Sequence, residues 1–212
     1  MPFCAYRQER PLVETVATGL NNPYDVAVAA NGDVYVAERG TDRILRIPAG
    51  SSTAEVFLPN TGLDSVNGVA VSPAGDVYVA DSYHNRILRV PAGTSVPELF
   101  VGDLNFPTRL AFTTEGDAYI SDGGGNRVLR VAAGAAPTVE VIATGFFAPF
   151  GLAAGSTGVY LADHSNKRVV LIQFANTPPT ANAGPDQMVE CTASAGTSVV
   201  LNGAGSFDAE TV

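Results

Sequence analysis

A short segment recurs four times along this chain at a nearly constant interval, and few folds are compatible with such a repeat. The segment reads YVADSYHNRILRV at residues 78–90, and its relatives are YVAERGTDRILRI at 35–47, YISDGGGNRVLRV at 119–131 and YLADHSNKRVVLI at 160–172. Their leading tyrosines follow one another after 43, 41 and 41 residues. A period of about 40 to 45 residues built on short alternating strands is typical of β-propeller blades.

Each repeat predicts four short strands separated by turn residues. In the first repeat the strands are expected at residues 23–28, 34–38, 43–47 and 54–58, with alternating side chains and glycine or proline between them. Pro48 ends the third strand because proline cannot donate to a strand ladder. No stretch of comparable length has helical periodicity. The sequence therefore predicts an all-β protein, a β-propeller of four recognisable four-stranded blades.

The two ends of the repeat region leave two arrangements open. Residues 13–19 (VETVATG) resemble residues 139–145 (VEVIATG), which are predicted as an outermost strand, whereas no fourth strand follows residues 168–174. The N-terminal strand either completes the fourth blade, which would close the ring and remove open sheet edges, or it belongs to an earlier blade.

Three motifs recur in the four repeats: Pro23-x-x-Val-Ala-Val, Gly32-Asp33-Val-Tyr-Val-Ala and Asp81-x-x-x-Asn85-Arg86-Ile87. On these motifs, residues 12–175 resemble the NHL repeats, whose propellers have six blades. The resemblance implies that the four blades are either a closed small ring or part of a six-bladed propeller.

The segments outside the repeats have a different character. Residues 1–11 are interpreted as an N-terminal extension without the apolar region of a signal peptide, and residues 176–185 as a proline-rich linker. Residues 186–212 resemble the start of a PKD domain, which implies a partial β-sandwich tail, since a full sandwich needs about 7 strands. The pairing with an NHL-like propeller implies a secreted or cell-surface bacterial protein and further domains of a longer parent chain.

The charge of the chain argues against polyanionic partners. It has 12 basic and 21 acidic residues, a net charge of −9, and Lys167 is its only lysine. Nucleic-acid binding and attachment to an anionic membrane both need clustered basic residues. No apolar run is long enough for a membrane span, so membrane insertion is not expected. Cys4 and Cys191 lie too far apart in sequence to suggest a zinc site or a disulfide framework.

The acidic residue of the repeated segment is predicted to be structural. It occurs once in every repeat, whereas a catalytic carboxylate is needed once or twice in a protein. We expect it to accept hydrogen bonds from backbone N–H groups or from the arginine that follows. The repeated positions are Glu38, Asp81, Asp122 and Asp163, with Arg43, Arg86, Arg127 and Arg168.

Positions at which the repeats differ are better candidates for recognition, because loops on a rigid scaffold usually carry function. The starts of the innermost strands and the turns between second and third strands are expected at the same mouth of the central channel. There Asp25 and Arg109 would oppose each other in a four-bladed ring, either as binding residues or as a salt bridge lining the channel. The candidate ligand-binding residues are Tyr24, Asp25, Asn67, Thr108, Arg109 and Phe150, with Arg39, Tyr83, His84 and His164 in the turns.

Two functions compete for this mouth. The favoured one is a module that binds a protein or glycan ligand, because the sequence assembles no catalytic residues, no metal triad and no cofactor motif; the two histidines occupy different repeat positions. The alternative, implied by resemblance to other propellers, is a metal-assisted lyase or lactonase. A hard cation such as calcium would then need oxygen ligands, and the candidates are Asn22, Asp25, Asp64, Asn67 and Asn105.

A group of phenylalanines and a run of glycines are interpreted as follows. Phe146, Phe147 and Phe150 belong either to the core or to an exposed recognition patch. The run Gly123-Gly124-Gly125 is expected to be a tight turn rather than a phosphate-binding loop, because a strand and not a helix follows it.

Overall fold

The computed structural model describes residues 13–59, 62–134 and 138–173, and these contain fifteen strands and no helix. The strands form four antiparallel sheets, each built from one repeat. The all-β propeller of four blades predicted from the repeat is confirmed. The extension at 1–11, the linker at 176–185 and the PKD-like segment at 186–212 lie outside the described residues, as do both cysteines.

Within each blade the strands follow chain order from the innermost to the outermost. The first blade contains β1 (Pro23–Val28), β2 (Val34–Glu38), β3 (Arg43–Ile47) and β4 (Glu55–Leu58). The second contains β5 (Val66–Val71), β6 (Val77–Asp81), β7 (Arg86–Val90) and β8 (Glu98–Val101). The third contains β9 (Pro107–Phe112), β10 (Ala118–Asp122), β11 (Arg127–Val131) and β12 (Val139–Thr144). The described part of the fourth contains β13 (Pro149–Gly155), β14 (Gly158–Asp163) and β15 (Arg168–Gln173).

Hydrophobic cores lie between consecutive blades. The innermost strands β1, β5, β9 and β13 are neighbours in that order. In the second blade, Val79 packs with side chains of the first blade and Ala80 with side chains of the third, and both are fully buried. Leu161 packs with Val128 between the third and fourth blades. Because both faces of an internal blade are covered, its second strand is an almost continuous apolar run.

Gly68 lies at a close approach between β5 and β9. A Cβ at this position would lie 2.6 Å from the carbonyl oxygen of Thr108 and 3.3 Å from the Cα of Arg109. Both neighbours are backbone atoms, so they cannot move aside as a side chain could. We therefore expect Gly68→Ala to lower the free energy of unfolding by about 1–3 kcal/mol, measured by urea denaturation.

The fourth blade supplies the matched control for this prediction. Gly151 occupies the equivalent position of β13, where a Cβ would lie 3.4 Å from the Cβ of Ala162, an ordinary contact. Gly151→Ala should change the free energy of unfolding by less than about 1 kcal/mol. Equal losses in the two variants would contradict the close approach of β5 and β9.

The N-terminal segment does not form the strand expected at residues 13–19, and it does not pair with β15. Instead, Ala17 and Leu20 pack against the hydrophobic side chains of the first blade around Leu45. The outward faces of the end blades are correspondingly open: Val26 of β1 is 60% exposed and Val169 of β15 is 72% exposed, whereas Val69, the equivalent of Val26 in β5, is 3% exposed. A strand requires a partner edge, and residues 13–19 have none among the described residues.

Each of the first three blades supplies a side-chain oxygen that accepts a backbone N–H at the start of the next blade's innermost strand or directly before it. The side-chain oxygen of Asn85 accepts the backbone N–H of Phe106, and that of Asn126 accepts the N–H of Ala148. Asp42 accepts the N–H of Val66 in the same way, over 3.4 Å. These acceptors have positive φ angles, which Asn and Asp tolerate better than most residues. The loops at this end of the propeller are therefore tied to the frame.

Candidate functional site

One end of the propeller carries two sets of loops, which together we call the loop face. The first set is the turns between second and third strands, at residues 39–42, 82–85, 123–126 and 164–167. The second set is the segments that lead into the innermost strands, at residues 20–22, 62–65, 102–106 and 145–148. Backbone hydrogen bonds join the two sets, for example from Tyr83 N–H to Asp64 O and from Ser165 N–H to Phe147 O.

The repeated carboxylate beneath the loop face is occupied by bonds within its own blade. Asp122 accepts the backbone N–H of Asn105 at 2.6 Å and the Nε–H of Arg127 at 2.7 Å, and it is fully buried. The other blades repeat this arrangement, with the pairs Glu38–Arg43, Asp81–Arg86 and Asp163–Arg168. Each carboxylate thus joins the end of the second strand to the segment before the first.

Glu38 illustrates the electrostatics of these positions. Its burial alone would raise the pKa of its carboxyl, because a charged group loses hydration in the interior. Hydrogen bonds from Arg43, from the Thr41 hydroxyl and from the backbone N–H of Asn21 outweigh that effect and hold the pKa below its ordinary value. The group is therefore a charged acceptor in the folded protein and is unsuited to donate a proton.

A second repeated ion pair lies at the opposite end of the blades and was missed in the sequence. Asp33 accepts hydrogen bonds from the Arg46 side chain and the Ala49 backbone N–H. Asp76–Arg89 and Asp117–Arg130 repeat the pair in the next two blades. The aspartate and arginine recur 13 residues apart in three repeats, and this recurrence is a signal of the same kind as the one that marks the first pair.

The starts of the innermost strands bring together a group that we call the central arginine cluster, made of Tyr24, Asp25, Arg109 and Phe150. The guanidinium carbon of Arg109 lies 5.3 Å from the centre of the Tyr24 ring and 4.7 Å from that of Phe150. Its Nε lies 3.3 Å from a carboxylate oxygen of Asp25. Arg109 also donates to the carbonyl oxygens of Tyr24 at 3.0 Å and of Asn67. Residues from all four blades thus meet at one side chain.

Burial changes the acid–base properties of the central ion pair. It lowers the pKa of Arg109, an effect that Asp25 opposes. It raises the pKa of Asp25, although Arg109 and the backbone N–H groups of Val69 and Val26 act in the opposite direction. The Asp25 carboxylate also accepts the Val69 N–H at 3.0 Å. Asp25 and Arg109 each form hydrogen bonds with the backbone of another blade, and these bonds hold the innermost strands together.

Arg39 extends this group toward the surface. Its guanidinium carbon lies 4.8 Å from the centre of the Tyr24 ring, and its side chain is half-buried. The structure therefore brings seven of the ten candidate residues together: Tyr24, Asp25, Arg39, Asn67, Thr108, Arg109 and Phe150. Thr108 contributes its carbonyl oxygen to Arg109, whereas its hydroxyl donates to backbone oxygens of the fourth blade.

The other three candidates lie on the loop face with different neighbours. Tyr83 is 61% exposed and makes an edge-on contact with Phe106. His84 places Nδ1 3.0 Å from an oxygen of Asp81, beside the repeated carboxylate. His164 is exposed and has Ser165 within hydrogen-bonding distance.

The phenylalanine run and the glycine run also have definite places. Phe146 is buried in the core between the third and fourth blades, whereas Phe147 is 59% exposed on the loop face. Phe150 belongs to the central arginine cluster. Gly123-Gly124-Gly125 forms a turn between β10 and β11, as the sequence predicted.

Two buried polar atoms at the start of the second blade, Asn67 Oδ1 and Ser65 Oγ, have no hydrogen-bond partner among the described residues. Water commonly satisfies buried groups of this kind. Within the described ranges, no group of three or more His, Cys, Asp or Glu residues is placed to hold a metal ion, and no helix is long and apolar enough to cross a membrane.

One of the four repeats matches a known family model in sequence. Residues 63–90 match the family model of the NHL repeat. These residues are the second blade up to the end of β7. No curated protein is detectably similar to the chain in sequence.

Solved structures share the fold at low sequence identity. A nidogen–laminin complex gives a TM-score of 0.65 at 19% identity, covering 74% of this chain and 61% of the other. An auxiliary nutrient binding protein from Bacteroides ovatus gives 0.62 at 16% identity, covering 74% and 46%. Virginiamycin B lyase from Staphylococcus aureus gives 0.56 at 15% identity, covering 66% and 47%. The chain spans between 46% and 61% of the length of these proteins, and identities this low establish the fold alone.

Proposed function

We propose that this chain is a binding module whose loop face presents aromatic and cationic side chains to a protein or glycan ligand. The observation that carries the proposal is the exposure of Tyr83 and Phe147, at 61% and 59%, on loops that are hydrogen-bonded to the propeller frame. Exposed aromatic side chains on rigid supports bind with little loss of conformational entropy. A nutrient binding protein and a nidogen–laminin complex among the similar folds support the same class of function.

The experiment uses two exposed residues whose loss should leave the fold intact. Glycan arrays and a displayed random-peptide library are probed with the whole chain, and the ligand that binds is then titrated against Tyr83→Ser and Phe147→Ser. We expect at least one variant to weaken binding by about tenfold or more, as for an aromatic hot spot. Leu99→Ser is the matched control, because Leu99 is 65% exposed on the outer strand β8. If Tyr83→Ser and Phe147→Ser both bind the ligand as tightly as the unmodified chain and Leu99→Ser do, the loop face is not the binding surface.

The alternative is a metal-assisted lyase with its site at the channel mouth, and the fold likeness to virginiamycin B lyase is the observation in its favour. Its oxygen ligands would come from the mouth, where Asp25 is already bonded to Arg109 and to the Val69 N–H. Elemental analysis of the purified chain separates the two functions: a stoichiometric metal ion favours the lyase, and a metal-free chain that binds its ligand favours the module.

Location outside the cell forms part of the same proposal. It rests on the pairing of an NHL-like propeller with residues 186–212, which resemble PKD modules.

A further inference from the structure

Arg39 differs from the other arginines of the described residues because no carboxylate lies within ion-pair distance of it. Every other one is paired: Arg43, Arg46, Arg86, Arg89, Arg109, Arg127, Arg130 and Arg168. The chain has 21 acidic and only 12 basic residues. Because acidic side chains are in excess, an arginine without an acidic partner is unexpected. The side chain of Arg39 also makes no hydrogen bond within the described ranges, so its N–H groups remain available.

The guanidinium of Arg39 is held in place although it is not paired. It stacks on Tyr24, whose ring also contacts Arg109 and Phe150. The backbone N–H of Arg39 donates to the carbonyl oxygen of Asn22, which fixes the start of the turn. A positioned guanidinium loses less entropy on binding than a freely moving one. Arg39 therefore has the geometry of a recognition residue, whereas Arg109 is already used by the frame.

From these contacts we propose that Arg39 is the anchor of the loop face and binds a single carboxylate, an Asp or Glu side chain of a protein partner. The guanidinium would donate two parallel N–H···O bonds to the carboxylate, while the Tyr24 ring covers its apolar side. This inference rests on the proposed binding function of the loop face and names the chemistry of its ligand.

The charges around Arg39 favour one carboxylate over a polyanion. Lys167 is the only other unpaired Lys or Arg among the described residues, and it lies in the turn of the fourth blade. Asp64 and Asp103 are exposed in the loops of the same face. A polyuronate or a nucleic acid would meet these charges and a net charge of −9. A protein partner can place one acid at Arg39 and aromatic or neutral side chains elsewhere.

The test begins with peptides selected from a displayed random-sequence library on the whole chain. Selected peptides are resynthesised with each Asp or Glu changed to Asn or Gln, and both forms are titrated by calorimetry. We expect one acidic residue per peptide to be essential. Arg39→Gln should weaken binding of the acidic form by about 10- to 100-fold, the range of a charge-assisted bidentate pair, and should leave the weak binding of the amide form unchanged. Arg39→Lys should give an intermediate loss, because lysine lacks the planar fork.

Lys167→Gln provides the matched control, since it removes the same charge from the same face and should change affinity by less than about twofold. Binding that survives Arg39→Gln but is lost in Tyr83→Ser or Phe147→Ser would overturn the role of Arg39 and leave the binding function standing. Binding that survives all three would overturn both. Polygalacturonate is titrated in parallel, and tighter binding to it than to the selected peptides, lost in Arg39→Gln, would assign the carboxylate to a glycan and overturn the protein partner.

Discussion

Replacing Arg109 by alanine is expected to lower the free energy of unfolding by about 2–4 kcal/mol, somewhat less than the loss of one partner from a fully buried ion pair. The Arg109 side chain is 15% exposed and the Asp25 side chain 20% exposed. The substitution leaves the Asp25 carboxylate without its cation and removes the donor from the carbonyl oxygens of Tyr24 and Asn67. Urea denaturation of the two proteins measures the difference.

Three further variants identify the cause of this loss. Arg39→Ala removes the neighbouring arginine, which has no acid partner among the described residues, and should cost less than about 1 kcal/mol. Arg109→Lys keeps the charge but not the fork and should fall between alanine and wild type. The double variant Arg109→Ala/Asp25→Ala should lose less than the sum of the single variants, because each partner needs the other.

A loss below about 1 kcal/mol in Arg109→Ala would indicate that the central arginine cluster does not stabilise the fold. The frame would then be stable without Arg109, and an arginine retained at the mouth despite the cost of its burial would be there for a ligand. The expected large loss instead assigns Arg109 and Asp25 to the frame. It also means that alanine substitutions at these two positions cannot test ligand binding, because a damaged propeller loses affinity whatever its binding surface is. Exposed residues such as Tyr83 are the cleaner test.

The strand positions of this protein could be predicted from sequence because every blade repeats them. The fourth strand of the first blade was expected from residue 54 and begins at Glu55, and the other three strands of that blade have the expected bounds. Period, alternation and turn residues all act locally, so they determine strand positions without knowledge of the rest of the fold. The carboxylate–arginine positions were visible for the same reason.

The contacts of single side chains could not be predicted in this way. The sequence placed Arg109 and Asp25 at one mouth, but the two rings around Arg109 depend on how the blades are arranged around the axis. Residues 13–19 show that similarity in sequence does not guarantee a strand. They resemble β12 almost residue for residue, yet they form no strand. A strand is stabilised by its partner edge, and that edge is a property of the assembled sheet rather than of the segment.

Asp81→Ala is expected to cost about 2–3 kcal/mol of unfolding free energy, in line with the removal of a fully buried acceptor. Asp81 is 0% exposed and accepts the Asp64 N–H at 2.8 Å and the Arg86 Nε–H at 2.7 Å. Alanine leaves the Asp64 N–H without an acceptor and removes the anionic partner of Arg86, which keeps its bond to the carbonyl oxygen of Gly62. The loss is measured by urea denaturation and should appear at Asp122→Ala as well, because the two blades share the arrangement.

Two controls separate a structural role of Asp81 from a chemical one. Asp64→Ala removes an exposed acid from the same loop, and His84→Ala removes the imidazole that contacts Asp81 but is 45% exposed; each should cost less than about 1 kcal/mol. If Asp81 and His84 instead formed a reactive pair, Asp81→Ala would leave stability nearly unchanged, since catalytic groups seldom stabilise the fold that carries them. A stable Asp81→Ala variant would therefore mean that a carboxylate repeated in every blade is not what joins the strands, and the same doubt would then extend to Glu38, Asp122 and Asp163.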